Sequence, residues 1–171
     1  MTRTLVLGGT RSGKSRYAED LLPATEPVRY VATARRHPDD DEWSARIDAH
    51  RARRPDAWIT FETSAIATLV ESGGGPLLVD DLATWLTGVL DDAEAWERPV
   101  DISPRLDELV AAVRRAPGTV VLVSAEVGLG IVPPTRAGRL FRDELGALNA
   151  ALAQVCDEVV LLVAGLPLRL K

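Results

Sequence analysis

The feature that most constrains the fold is an eight-residue stretch near the start of the chain. It follows the apolar run Leu5-Val6-Leu7 and consists of Gly8, Gly9, Thr10, Arg11, Ser12, Gly13, Lys14 and Ser15. This is the G-x-x-x-x-G-K-[ST] pattern of a phosphate-binding loop, in which backbone N–H groups surround phosphate oxygens, the lysine reaches the β- and γ-phosphates and the hydroxyl ligates Mg²⁺. The pattern requires a strand before the loop and a helix after it, predicted here over Lys14–Leu22. The sequence therefore predicts a nucleoside triphosphate site.

Composition narrows the remaining classes of function. A net charge of −5 opposes nucleic acid or anionic lipid as a partner, and no apolar run approaches the roughly 18 residues of a membrane span. Cys156 is the only cysteine, which excludes an intrachain disulfide, and we expect it to be a core thiol. Lys14 and Lys171 are the only lysines, so a lysine inside the loop indicates a need for a compact ammonium. We expect one domain, residues 1–171, in the cytoplasm.

Short apolar strands alternate with helical segments along the chain, which predicts an α/β fold: a mostly parallel sheet with helices on both faces. The predicted strands are Thr4–Leu7, Val28–Thr33, Trp58–Phe61, Leu77–Asp80, Thr119–Ser124, Val159–Val163 and Leu166–Leu170. The predicted helices after the first are Asp39–Arg53, Ser103–Ala116 and Thr135–Val155. The last two strands are expected to form an antiparallel hairpin at the sheet edge. The acidic stretch Asp91–Asp101 is expected to be an irregular excursion, with Trp96 as either a lid residue or a packed loop aromatic.

Carboxylates follow two of the predicted strands. Asp80 and Asp81 end an apolar strand, where phosphate-loop proteins place an aspartate near Mg²⁺. Asp80 is favoured for that role and Asp81 is the second candidate; the alternative is that both cap the segment Leu82–Leu90. Glu126 follows the next apolar strand and precedes two glycines, which is typical of an active-site loop or of a turn in which Glu126 caps the next helix.

The chain has two histidines in different settings. His37 lies in a polar stretch and is expected to be exposed to solvent. His50 lies in an arginine-rich segment, Arg46 to Arg54, which suits a polyphosphate. A neutral imidazole beside such cations is a competent nucleophile, because nearby positive charge disfavours the protonated ring. By spacing alone, a lone histidine on a helix is more often a surface residue or one with satisfied hydrogen bonds, and the arginines around it are what favour a catalytic role.

Several blocks of sequence match one family. They are Gly8–Ser15 followed by Tyr17-Ala18-Glu19, Tyr30–Ala34, Arg46-Ile47 with His50-Arg51 and Arg54-Pro55, Leu82 with Thr84-Trp85-Leu86, Val123 to Pro133, and Arg139 to Asn149. In these blocks the chain resembles the bifunctional adenosylcobinamide kinase / adenosylcobinamide-phosphate guanylyltransferase family of cobalamin biosynthesis. The resemblance covers nearly the whole chain.

The resemblance implies a RecA-like phosphate-loop fold, a ring-like homotrimer and two reactions. Adenosylcobinamide would first take a phosphoryl group from ATP or GTP; its phosphate would then take GMP from GTP through a GMP–histidine intermediate at His50. Lys14 would act in catalysis. The nucleotide site would be completed by Thr33, Ala34, Arg35, Arg54, Glu62 and Asp80, with Ser15 and Asp80 holding Mg²⁺.

Three positions depart from the family pattern. Asp81 stands where the family usually has Cys, and Gly88 and Ala125 stand where it usually has Asn. Two other functions remain compatible with the residues. One is a simple small-molecule kinase without a covalent intermediate. The other is a RecA-like or GTPase-like switch that binds a macromolecule.

Overall fold

A computed structural model describes residues 1–35, 45, 47–48, 51–52 and 54–171 of the chain. The strands are β1 (Arg3–Gly8), β2 (Arg29–Ala32), β3 (Ile59–Glu62), β4 (Leu77–Asp80), β5 (Val120–Ala125), β6 (Glu158–Val163) and β7 (Leu166–Arg169). The helices with defined bounds are α1 (Lys14–Asp20), α2 (Ile66–Glu71), α3 (Leu82–Asp92), α4 (Ser103–Arg115) and α5 (Arg136–Val155).

The seven strands form one sheet in the order β3-β2-β4-β5-β1-β6-β7. Every neighbouring pair is parallel except β6 and β7, which are antiparallel. The predicted mostly parallel sheet and the closing edge hairpin are therefore confirmed. Because the strands run in parallel, their carboxyl ends and the loops that follow them lie at one edge of the sheet, where ligands bind in open α/β sheets.

Both faces of the sheet are covered, as the continuous apolar strands predict. Alternate residues of β1 enter different parts of the core: Leu5 and Leu7 pack with side chains of α2, α3, α4 and α5, whereas Val6 packs with Ala18 of α1. Cys156 is buried at the end of α5, and its burial raises the pKa of the thiol to about 12. The predicted core thiol is confirmed. No helix in the described residues is long and apolar enough to span a membrane.

The local predictions fail at two places. Helix α2 was not predicted: it has only six residues, includes the strand formers Ile66, Thr68 and Val70, and has no side-chain N-cap. The excursion predicted from Asp91 begins later, because Asp91 and Asp92 still belong to α3. Trp96 is a packed loop aromatic: its ring packs on the core and its indole N–H donates to Asp91 Oδ1 at 2.5 Å.

The helix predicted over Asp39–Arg53 falls largely outside the described residues. Its described members, residues 45, 47, 48, 51 and 52, have helical backbone. The strand Leu77–Asp80 has the predicted bounds, and the other predicted elements differ from the structure by at most two residues at their ends. Helix α1, for example, ends at Asp20 instead of Leu22.

Candidate active site

A cavity of about 1040 Å³ opens where the phosphate loop meets the carboxyl ends of β2, β3, β4 and β5. Its cationic lining residues are Arg11, Lys14, Arg16, Arg35, Arg51 and Arg54, and its acidic ones are Glu62, Asp80 and Asp81. Cations outnumber acids two to one among the described residues of the lining. A cavity of this size and charge suits a nucleoside triphosphate.

The phosphate loop contributes Thr10 to Ser15 to this lining, whereas Gly8 and Gly9 do not reach it. Gly13 precedes α1 with φ of +90°, a backbone conformation that a residue with a Cβ rarely adopts. The backbone can therefore turn from the loop into the helix, whose amino end faces the cavity. Lys14 Nζ lies 3.5 Å from the carbonyl oxygen of Gly9, so the ammonium is folded over the loop itself.

A hydrogen-bonded group of three side chains links the loop to the sheet. Ser15 Oγ donates to Asp80 Oδ1 at 3.0 Å, and Tyr30 Oη donates to Asp80 Oδ2 at 2.7 Å. Tyr30 is buried in β2, and its burial, together with the Asp80 charge, raises the pKa of its phenol. The phenol therefore stays protonated and acts only as a donor to Asp80.

The side-chain oxygens of Ser15 and Asp80 are suitable ligands for Mg²⁺. Ser15 Oγ and the Asp80 carboxylate are hard oxygen ligands, they lie side by side, and both line the cavity. Proteins usually hold Mg²⁺ with one or two of their own oxygens, and substrate phosphates and water complete the coordination, so this pair is a sufficient protein contribution.

Asp81 has a different task from Asp80. Its Oδ1 accepts the Thr84 backbone N–H at 2.7 Å, which makes it the N-cap of α3. Burial raises the pKa of its carboxyl. The capping interpretation holds for Asp81 alone, because Asp80 instead bonds the phosphate-loop serine; the Mg²⁺ role of Asp80 stays a prediction. Both side chains line the cavity.

Thr33, Ala34 and Arg35 follow β2 and line the cavity as a group. The Thr33 hydroxyl is already engaged, since it accepts the Asp81 N–H at 3.0 Å and donates to the Asp81 carbonyl at 2.7 Å. Its side chain therefore joins the ends of β2 and β4. That leaves the backbone of this segment, and not the Thr33 hydroxyl, to face a ligand.

Arg54 also lines the cavity. Its guanidinium carbon lies 3.8 Å from the centre of the Tyr30 ring, which is a cation–π contact, and its Nη1 donates to Thr60 Oγ1 at 3.2 Å. Its Nε is buried and has no hydrogen-bond partner in the described residues. Glu62, at the end of the edge strand β3, also lines the cavity.

Glu126 does not line the cavity. Its Oε1 accepts the Gly128 N–H at 2.6 Å, within its own turn. The alternative prediction that it caps the next helix is wrong, because Thr135 caps α5 by accepting the Gly138 N–H. Ala125, the last residue of β5, lines the cavity, and its carbonyl accepts a hydrogen bond from Asn149 Nδ2 at 3.0 Å.

Comparison with known proteins agrees with this arrangement. The model of the cobinamide kinase / cobinamide phosphate guanyltransferase family matches residues 4–170. The chain belongs to this family.

Three relatives share almost its full length. The bifunctional adenosylcobalamin biosynthesis protein CobP of Pseudomonas aeruginosa is 43% identical over 99% of this chain and 97% of its own. The CobU proteins of Escherichia coli and Salmonella typhimurium are 39% and 41% identical over 98% of each chain.

A solved structure shares the fold. It is an ATPase from the type III secretion system of pathogenic bacteria, with a TM-score of 0.51 and 13% sequence identity, covering 95% of this chain and 51% of that one. The similarity shows that the chain has the α/β fold of a phosphate-loop ATPase, as the RecA-like prediction requires.

Both histidines of the chain, His37 and His50, lie outside the described residues. The neighbours of His50 that are described do reach the site, since Ile47, Arg51 and Arg54 all line the cavity. Tyr30 stands in a block that matches the family, but no local sequence pattern marks it for a role. The only signal for it is structural: β2 lies beside β4, so Tyr30 and Asp80 point to the same face two residues apart in register.

Proposed function

We propose that this chain is a bifunctional enzyme that phosphorylates adenosylcobinamide and then converts the phosphate to adenosylcobinamide-GDP. The observation that carries the proposal is the contact of Ser15 with Asp80 inside a cationic cavity built on the phosphate loop. Membership of the cobinamide kinase / cobinamide phosphate guanyltransferase family supplies the substrate.

In the first reaction, the substrate hydroxyl oxygen attacks the γ-phosphorus of ATP or GTP. The bond from that phosphorus to the β,γ-bridging oxygen breaks, and the nucleoside diphosphate leaves. Lys14 and the backbone of residues 10–15 hold the β- and γ-phosphates in line with the hydroxyl. Ser15 and Asp80 are the residues that would hold Mg²⁺, which would supply positive charge to neutralise the transferred group. Tyr30 keeps the Asp80 carboxylate oriented toward Ser15.

In the second reaction, a nitrogen of His50 attacks the α-phosphorus of GTP and releases pyrophosphate. An oxygen of adenosylcobinamide phosphate then attacks the same phosphorus, breaks the P–N bond and returns the imidazole. Two displacements replace one difficult reaction between two anions. Arg51 and Arg54 support this assignment, because they bring cations from the His50 segment to the cavity where the anionic groups must react.

The test is covalent labelling. Incubation with α-³²P-GTP and Mg²⁺ is expected to label the wild-type protein through an acid-labile, alkali-stable phosphoramidate. His37→Ala is the matched control because it removes the only other histidine, and it is expected to label normally. His50→Ala is expected to lose the label. Equal labelling of His50→Ala would overturn the covalent intermediate.

The kinase reaction is measured separately, with γ-³²P-ATP and cobinamide. His50→Ala is expected to retain it, since the imidazole attacks only in the second reaction. A wild-type protein that phosphorylates cobinamide but never takes label from α-³²P-GTP would be a simple kinase. Failure to phosphorylate cobinamide at all would exclude the proposed substrate.

Two further properties belong to the same proposal. We infer that the enzyme acts in the cytoplasm, where its nucleotide substrates are made. We also infer a homotrimer, by family resemblance; exposed apolar side chains such as Leu129, Ile131 and Leu166 offer surface for such an assembly.

A further inference from the structure

A second, smaller cavity lies beside the nucleotide cavity. Its volume is about 280 Å³, and its wall is formed by α3, with Arg35 on one side and Phe141 of α5 on another. Arg35 and Thr84 line both cavities, so the two are adjacent and share a wall. The small cavity can take a side chain or two of a large ligand, but not a nucleotide or a macrocycle as a whole.

The shared wall is held in place by two features. Arg35 donates from Nη1 and Nη2 to the two carboxylate oxygens of Asp92, at 2.7 and 2.6 Å. The guanidinium group lies against Gly88, where a Cβ would stand only 3.1 to 3.2 Å from three of its atoms. The absence of a side chain at Gly88 therefore gives Arg35 room to reach Asp92. The guanidinium is planar, and its two parallel hydrogen bonds to Asp92 fix its direction, so Arg35 forms a fixed wall between the two cavities.

The lining of the small cavity selects a neutral polar group. Asp91 offers a carboxylate whose Oδ1 is anchored by the Trp96 indole, and no other hydrogen bond to this carboxylate is present among the described residues. Thr84 and Thr87 add hydroxyls, while Ala83 and Phe141 add apolar surface. A carboxylate on the ligand would be repelled by Asp91, and an ammonium would be repelled by Arg35. A primary amide on a short apolar stem fits both, because it donates and accepts without net charge.

We propose that the small cavity binds amide-bearing side chains at the rim of the corrinoid substrate, while the hydroxyl arm of that substrate extends past Arg35 to the phosphates. This inference rests on the proposed function, which supplies the substrate. Cobinamide is a corrin ring surrounded by amide-terminated side chains, so the ligand chemistry that the cavity selects is the chemistry of its rim. Thr87 and Asp91 are the residues that select the substrate, and neither touches the nucleotide cavity.

The first test fills the cavity. Thr87 is an exposed residue of α3, so Thr87→Leu adds volume to the cavity wall without disturbing the core. We expect the KM for cobinamide in the kinase reaction to rise about tenfold, with GMP labelling by GTP unchanged, because labelling needs no corrinoid. Thr68→Leu is the matched control, since Thr68 is exposed on helix α2 and lines neither cavity. An unchanged KM for cobinamide in Thr87→Leu would overturn the proposal.

The second test is chemical selectivity, which a loss of packing alone would not alter. Partial hydrolysis of cobinamide gives derivatives in which one rim amide is a carboxylic acid. Wild-type enzyme is expected to prefer the amide in kcat/KM over at least one of these isomers, and Asp91→Asn is expected to reduce that preference about tenfold. No preference in the wild type, or the same preference in Asp91→Asn, would contradict the assignment. If wild-type enzyme fails to phosphorylate cobinamide itself, the proposed function is wrong. This outcome differs from the results that contradict the amide-binding cavity, so a failure of the proposed function and a failure of this inference can be told apart.

Discussion

At the scale of single residues, Tyr30 controls the most important carboxylate of the site. It is buried, stacks under Arg54 and donates its hydroxyl hydrogen to Asp80 Oδ2. The other oxygen of Asp80 accepts from Ser15. The Tyr30 side chain therefore contacts the cation of Arg54 with the face of its ring and the anion of Asp80 with its hydroxyl.

Removal of this hydroxyl gives a residue-scale prediction. Tyr30→Phe is expected to lower kcat/KM of the kinase reaction about tenfold, because a hydrogen bond to a charged group contributes about 1.5 kcal/mol or more. The apparent Mg²⁺ requirement, measured by titration at saturating ATP, is expected to rise as Asp80 loses its orientation.

Tyr17→Phe is the control for this change. Tyr17 is the only other tyrosine, it belongs to α1 and packs on the core, and its hydroxyl makes no hydrogen bond in the described part of the chain. The Mg²⁺ requirement of Tyr17→Phe should match that of the wild type. If Tyr30→Phe shows the same Mg²⁺ requirement as well, Tyr30 is only a packing residue.

The residue scale also shows what sequence can and cannot predict. Lys14, Ser15 and Asp80 could be found because a short local pattern marks each of them. Tyr30 and the Arg35–Asp92 pair could not, because their partners lie 50 and 57 residues away along the chain. Such contacts depend on the order of the strands and on the side of the sheet where α3 packs, which no local pattern specifies.

At the scale of elements, the start of β1 is tied to the turn before β6. The Arg3 side chain donates to both carboxylate oxygens of Asp157, at 3.0 and 2.6 Å, and the Arg3 backbone N–H donates to Asp157 Oδ2 at 2.9 Å. The Arg3 side-chain hydrogen bonds, followed by its backbone N–H, lower the pKa of Asp157 to about 2. The pair thus joins two neighbouring strands of the sheet at their amino ends.

This pKa shift predicts a pH dependence of stability. Because the folded state favours the carboxylate, the contribution of Asp157 to stability is complete above its ordinary pKa near 4 and is lost as pH falls through about 2. Urea denaturation at several pH values between 5 and 2 is expected to show a shallower decline in Asp157→Asn than in the wild type.

The matched control is Asp107→Asn. Asp107 is exposed on α4, and its side chain makes no hydrogen bond within the described residues. Its variant should follow the wild-type curve. Parallel curves for the wild type and Asp157→Asn would show that the Arg3 contact does not stabilise the fold.

Element boundaries follow from sequence only where the signals are strong. The apolar runs of β1, β4 and β5 and the long amphipathic helix α5 were predicted to within one or two residues. Helix α2 was missed, since six residues with several strand formers carry no helical signal of their own. It forms because Ile66 and Val70, one helical turn apart, are both buried in the core.

At the scale of the whole molecule, most of the large apolar side chains that are exposed in the described residues lie in two segments. Leu129, Ile131 and Val132 follow β5, and Ile131 is 96% exposed; β7 and its neighbours form the other segment. Strand β7 is also an edge strand, with one row of backbone groups unpaired by the sheet. Surfaces of this kind usually face a partner.

The proposed trimer gives the prediction at this scale. Sedimentation of the wild type should give about three times the monomer mass of 18.5 kDa. Ile131→Glu is expected to shift the protein toward the monomer, because it places a charge in the proposed contact without touching the core. Leu21→Glu, on exposed apolar surface beside α1, serves as the control. A wild type that remains monomeric at all concentrations would refute the trimer, and a trimeric Ile131→Glu would place its contact elsewhere.

The edge hairpin reaches back to the phosphate loop. The Gly165 N–H, in the turn between β6 and β7, donates to the Ser12 carbonyl at 3.0 Å. Hairpin turns at a sheet edge are ordinarily where a protein best tolerates an insertion, a protease cut or new termini from circular permutation. Here, such an edit would release the loop on which the nucleotide site is built. In a scan of single insertions along the chain, we therefore expect insertions at this turn to be poorly tolerated.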